Sequence, residues 1–242
     1  MESPITKKEF ENWQTHSVSI FNKDNIILVP EVVDKKGAIV NKHMVDSHED
    51  WIVDIKAKVG NTDRTEKGGA GLAFYYLKEI NKEDIGTGMF GYSRGFNGVS
   101  VFLNSLLKVE EKGVQKNYMQ LFSNDGTKQV NPMKVRNEQN CKVKFRNLEG
   151  DAAFHFRVEY KKPRVSVYWY DTAMNQFEMC GSIEQELDFN GIFMLTGASG
   201  LTNPDHIYID SLAMYDPSEP VAEGHNEHVH EVHKKKATHD MA

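Results

Sequence analysis

Apolar positions along this chain come in short runs, and several of the runs alternate. In "WIVDIKAKV" (51–59) Trp51, Val53, Ile55, Ala57 and Val59 are apolar, with Asp54, Lys56 and Lys58 between them. In "RVSVYWY" (164–170) Val165, Val167 and Trp169 share one face. A period of two marks a strand with one face on a core. Further runs of strand length are "NIILVPEVV" (25–33), "GLAFYYL" (71–77), "GVSVFLN" (98–104) and "NYMQLF" (117–122). Later come "CKVKFRN" (141–147), "AFHFRVEY" (153–160), "GIFMLTGA" (191–198) and "IYIDSLAMYD" (207–216). Turn-forming residues separate them, and "NDG" (124–126) is a hairpin signal. Only residues 7–18 and "SIEQELD" (182–188) offer short helical turns. About ten strands at this spacing predict an all-β chain, a two-sheet antiparallel β-sandwich or jelly roll.

One of these strands is entered in an unusual way. "KGGAGLAFYYL" (67–77) runs three glycines and an alanine straight into an apolar, aromatic segment. Glycine permits positive φ and close approach to another group, and a turn of this kind often carries a functional side chain. Here the non-glycine is Ala70, which has no chemistry to offer.

Composition narrows the class. The 242 residues, 39% of them hydrophobic, fit one β domain with a full core. With 29 Lys+Arg against 35 Asp+Glu the net charge is −6, which disfavours nucleic acid or an anionic membrane surface as partner. No run approaches the ~20 apolar residues of a membrane span. "MESPITKKEFENW" lacks the apolar centre of a signal peptide, so the reading is a cytosolic protein or a trimmed portion of a longer one. From about residue 217 the pattern stops, and the last segment, 218–242, holds five of the ten histidines. It reads as a His/Lys-rich flexible tail or the start of a stalk after a domain over 1–217. His225, His228, His230 and His233 lack the fixed geometry a metal site needs. By residue type alone Cys141 and Cys180 read as two separate buried thiols, and they are too few for zinc.

Catalytic signatures are absent. No GxSxG, HExxH, GxxxxGK[ST] or CxxC occurs, and "GASG" (197–200) lacks the strand–elbow–helix context of a nucleophile. Glu159, Asp171 and Asp188 lie near strands and leave a carboxylate-pair glycosidase as an alternative. The loops "GTGMFGY" (86–92) and "RGFNG" (94–98) suit sugar stacking, and are equally ordinary sandwich turns.

Several segments carry more in their order than singly. These are Trp13, "ILVP" (27–30), Gly37–Ala38, Trp51, "GGAGLAFYY" (68–76), "GTGMFG" (86–91) and "NGVSVFLNS" (97–105), followed by "NDG", "CKVKFRN", "FEMC" (177–180) and "GIFMLTGASGL" (191–201). Through them the chain from about Phe10 to Pro217 resembles the L-type, legume-lectin-like domain of secretory-pathway cargo receptors. The resemblance implies a disulfide between Cys141 and Cys180, hence an oxidising lumen of the ER, the ER–Golgi intermediate compartment or the Golgi. It also implies a calcium and mannose site, and this sequence departs from it. The family's sugar-gripping aspartate in the glycine turn falls at Ala70, its first calcium aspartate at Asn104, and its bridging asparagine at Lys108. Its later histidine and aspartate fall at Pro132 and Val135. Calcium takes six to eight oxygen ligands, largely carboxylate, so the expectation is that the Ca²⁺-dependent mannose site is lost and no cofactor is bound.

The groove expected from the resemblance gathers Ala70, Asn97, Asn104 and the loop Gly197, Ala198, Ser199, Gly200 and Leu201 at one end of a concave sheet. The reading is a non-enzymatic luminal cargo-receptor or adaptor module. Its partners would be glycoprotein or protein cargo and other lectin-like subunits, with any anchor in a longer precursor. The alternatives are a working mannose lectin, a glycan-active hydrolase or lyase on a jelly roll, and a structural subunit of an assembly.

Overall fold

The computed structural model describes residues 11–46, 50–108, 115–134 and 139–215. The segment 218–242, Val135 and the first part of the 7–18 stretch lie outside them. The described residues form a β-sandwich, with strands β1 Trp13–Ser17, β2 Ile20–Phe21, β3 Ile26–Val29, β4 Lys36–Asn41, β5 Trp51–Gly60, β6 Gly71–Leu77 and β7 Asn97–Lys108. The rest are β8 Gln115–Asp125, β9 Asn140–Lys142, β10 Phe154–Lys161, β11 Arg164–Asp171, β12 Gln176–Glu184, β13 Ile192–Ala198 and β14 His206–Tyr215. They build two seven-stranded sheets, ordered β1-β4-β13-β6-β7-β8-β9 and β12-β11-β10-β5-β14-β3-β2. Every ladder between named strands is antiparallel.

Alternation decides which side chains meet. Leu72, Phe74 and Tyr76 of β6, Val99, Val101 and Leu103 of β7, and Phe193 and Leu195 of β13 point between the sheets. There they meet Val53, Ile55, Phe156, Val158, Val165 and Val167 of the other sheet. Trp51 anchors one end, with ring centroids 5.0 Å from Phe193 and 5.3 Å from Tyr76. The intervening residues of the first sheet, among them Ala73, Tyr75 and Phe102, face outward and are buried too. The cover comes from the loop between β6 and β7: Phe90 stacks on Phe102 at 4.8 Å, and Tyr92 and Phe96 meet Tyr75 edge-on. The aromatics of the two glycine-containing loops are therefore packing groups, 1–4% exposed, and not open platforms.

Several expectations need correction. Among the described residues, 11–18 and 182–188 are not helical: Trp13–Ser17 is an edge strand, Ser182–Glu184 ends β12, and the short 3-10 turns of the described residues lie at Lys82–Asp84 and Glu149–Asp151. The turn at Gly126 (φ 84°) does not close a hairpin, because β8 pairs onward with β9, which starts only at Asn140. Cys141 of β9 and Cys180 of β12, by contrast, form the disulfide that the resemblance implies, with Cα atoms 5.1 Å apart. It ties one sheet to the edge of the other.

Candidate functional site

The glycine turn is fixed from beneath by a buried ion pair. Arg146 donates through Nε and Nη2 to the two oxygens of Asp205, both bonds at 2.6 Å, with side chains 3% and 0% exposed. Asp205 also accepts from the Gly69 amide at 2.9 Å and from Asn61 Nδ2 at 3.0 Å, while Arg146 Nη1 reaches Glu66 O at 3.0 Å. A buried carboxylate with four donors leaves little of its charge unsatisfied. Glycine is needed because the backbone runs against its neighbours: a Cβ on Gly69 would collide with the Ser199 carbonyl. Gly71 has φ 122°, and a Cβ there would strike Leu103 O.

The loop at 197–201 is built against this turn. A Cβ on Gly200 (φ 95°) would lie 2.5 Å from Gly69 Cα, so Ala70 and Gly200 are neighbours. Ser199 is fully buried; its hydroxyl donates to Val32 O at 2.5 Å and accepts from Lys35 N at 2.9 Å. Asp34 N donates to Gly200 O at 2.8 Å. Ala70 is 4% exposed and its methyl belongs to the outer aromatic cluster, whereas Leu201 is 75% exposed.

Register completes the arrangement. Lys36, Ala198, Gly71, Asn104 and Tyr118 stand side by side across β4, β13, β6, β7 and β8, all on the outward face. The β7–β8 register shifts just after Asn104, a bulge that releases Ser105 and Leu106 from the ladder. Ser105 Oγ then donates to the carbonyls of Gly69 and Ala70. Asn104 is fully buried, its Oδ1 accepting from Leu106 N at 2.9 Å and its Nδ2 donating to Gln120 Oε1 and Pro132 O, both at 2.9 Å. Gln120 Nε2 reaches Lys134 O at 3.4 Å. These bonds staple the bulge and the 131–134 loop to the sheet without any charged group.

Asn97 does not belong to this group. It starts β7 opposite Asp125, seven residues from Asn104, roughly 23 Å at ~3.3 Å per residue. There it lines a separate cavity of about 510 Å³ with Glu79, Asn81 and Asp84. The register of β6 against β7, which sets Gly71 beside Asn104 and Leu77 beside Gly98, places it at the far end. Lys108 ends β7 opposite Gln115. Glu159, Asp171 and Asp188 sit on separate elements: Glu159 pairs with Lys161, Asp171 caps the turn at Ala173, and Asp188 lies between β12 and β13. Gln120, Ser105, Arg146 and Asp205 carry no site signature in the sequence: the first three lie within strand-like runs and Asp205 in the turn before β14.

A family model described as the legume-like lectin family matches residues 3–222. The chain belongs to the legume-like lectin family. Membership places it among lectin-type binding proteins and not among enzymes. The Canis lupus familiaris vesicular integral-membrane protein VIP36 is 23% identical over 188 residues, 76% of this chain and 49% of that protein. The Mus musculus protein ERGIC-53-like is 25% identical over 215 residues, 86% of this chain and 40% of that one. The chain thus spans about half or less of the curated relatives it matches. The crystal structure of the VIP36 exoplasmic/lumenal domain in its Ca²⁺/Man3GlcNAc-bound form has a TM-score of 0.74 and 20% identity, covering 93% of this chain and 89% of that one. That likeness is one of fold.

Calcium implied by the family can be tested against this lectin-like domain's own donors. The side-chain oxygens of Asn104 and Gln120 are amide oxygens, each already accepting a hydrogen bond, and the Asn104 amide N–H groups are directed at Gln120 Oε1 and Pro132 O. Among the described residues no group of three His, Cys, Asp or Glu side chains could hold a metal. This donor set does not fit a hard divalent cation that prefers carboxylate.

Proposed function

We propose that this chain is a luminal binding domain of an early secretory-pathway cargo receptor or adaptor that recognises protein or glycoprotein cargo without calcium-dependent mannose binding. The observation that carries the reading is the neutral network of Asn104, Gln120 and Pro132 O at the end of the outward face. It holds the loops by amide hydrogen bonds, which need no metal, and beside it Ala70 supplies a methyl group. The disulfide between Cys141 and Cys180 supports an oxidising lumen. So does kinship with a protein whose solved part is named an exoplasmic/lumenal domain. Other lectin-like subunits are natural partners for a domain of this family.

A glycan array probed with and without calcium tests the reading. The expected result is no high-mannose signal that calcium enhances. High-mannose binding that requires calcium and vanishes with chelator would replace the reading with that of a working mannose lectin.

A further inference from the structure

At the rim of the same site, two loops present apolar side chains to solvent. Val32 is 46% exposed, Val33 49% and Leu201 75%. The backbone on either side of them is tied down. The Ser199 hydroxyl binds both Val32 O and Lys35 N, Ser199 N donates to Lys35 O at 2.9 Å, and Asp34 N donates to Gly200 O. The two loops are thus one hydrogen-bonded unit beside the Gly69–Ala70 turn. Rigid presentation matters, because an apolar group already ordered loses little entropy when it is covered.

Beside this unit Lys35 and Lys36 outnumber the exposed Asp34, on a chain whose net charge is −6. Lys35 and Lys36 follow Val33 after the intervening Asp34, and Lys134 lies across the face in the loop tied to Gln120 through its own carbonyl. None of the three has an ion-pair partner among the described residues. Of the carboxylates in the 31–36 stretch, Glu31 is turned to Thr62 and His206, which leaves the exposed Asp34. Four strand steps separate Lys36 from Tyr118 across the face, roughly 19 Å at ~4.8 Å per strand. An extended peptide of about six residues covers that span.

We propose that this rim is a docking surface for an extended, acidic peptide segment of a protein partner, whose apolar side chains cover Val32, Val33 and Leu201 while its carboxylates meet Lys35, Lys36 and Lys134. Charge complementarity selects the occupant. A neutral glycan would leave the unpaired ammonium groups unused and place hydroxyls against three aliphatic side chains. A basic segment would be repelled. The proposal rests on the cargo-binding reading and gives that cargo a chemical class.

The test is selection of a displayed library of short random peptides on the whole chain. Recovered peptides are then synthesised and their affinities measured against three variants. The expected result is enrichment of sequences that combine Asp or Glu with Leu, Ile or Phe, binding that weakens with salt and ignores chelator. Leu201→Ser and Val33→Ser should each weaken binding several-fold, and the pair Lys36→Glu with Lys134→Glu at least about tenfold. All these side chains are at the surface, and thermal unfolding of each variant reports whether its fold is intact. Failure to enrich any peptide, enrichment of basic or uncharged ones, or affinities unchanged in folded variants overturns the proposal. Calcium-dependent mannose binding by the same preparation would overturn the calcium-free reading of the site instead, and the peptide result would still be read separately.

Discussion

Asn104 donates its side-chain amide to Gln120 Oε1 across the β7–β8 ladder at 2.9 Å, and both residues are fully buried. The same nitrogen holds Pro132 O at 2.9 Å. An ionised aspartate cannot donate, so Asn104→Asp would turn two hydrogen bonds into two repulsive oxygen contacts and bury a charge. The expected loss is about 2–4 kcal/mol, read by denaturant unfolding at neutral pH. Asn104→Asp should also be less destabilised in acid, where the carboxyl is protonated and can donate one bond.

Arg146 and Asp205 hold the glycine turn from below. Arg146→Met leaves the Asp205 carboxylate buried with only the Gly69 and Asn61 donors. Breaking one half of a buried pair costs about 3–5 kcal/mol. Urea unfolding should show a loss of that size, with faster amide exchange in residues 65–71 than in the β5 strand.

The outer face of the second sheet carries a pH-dependent pair. Arg157 grips Asp54 through Nε at 2.7 Å and Nη2 at 2.8 Å, and its guanidinium lies 4.1 Å from the Phe177 ring centroid. Burial alone would raise the Asp54 carboxyl, but the bonds from Arg157 and His155 outweigh it and hold it below the usual carboxylate range. A depressed carboxyl contributes stability above its unfolded-state value, near ~3.9, and loses it as pH falls through the folded-state value. Thermal unfolding should therefore be flat near neutrality and fall in acid. Asp54→Asn should flatten the acid limb while lowering stability at pH 7 by about 1–3 kcal/mol.

The disulfide closes a loop with a sequence separation of 39 between strands of different sheets. Chain entropy assigns it about 4 kcal/mol. The variant Cys141→Ser with Cys180→Ser should lose stability of that order in guanidinium unfolding. Reducing agent should have the same effect on the parent chain and none on the variant.

The strands that alternate cleanly were legible from the sequence, and the sandwich follows from them. Four strands were not. β1 ("WQTHS") has one buried residue and is recruited at an edge by β4, and β2 is two exposed residues long. β4 ("KGAIVN") reads as a glycine turn, and β12 ("QFEMCGSIE") is an edge strand whose polar residues hide its period. At the site, the resemblance drew attention to Ala70, Asn104 and the 197–201 loop, and the register sets them side by side. It also put Asn97 with them, because neighbours in a motif need not be neighbours at one end of a strand. Gln120 was invisible for a different reason. A polar residue in a strand reads as solvent-facing, and its burial depends on a loop eleven or more residues later folding back over it.

Asn104 and Gln120 join the bulge and the 131–134 loop by amide hydrogen bonds, and the proposed function requires no calcium there. Calorimetric titration of the chelator-treated protein with Ca²⁺, followed by a mannose oligosaccharide, tests it most directly. The expected result is no saturable heat in either titration and an unfolding temperature unchanged by millimolar calcium. Micromolar calcium affinity, or mannose binding that appears only once calcium is present, would contradict it.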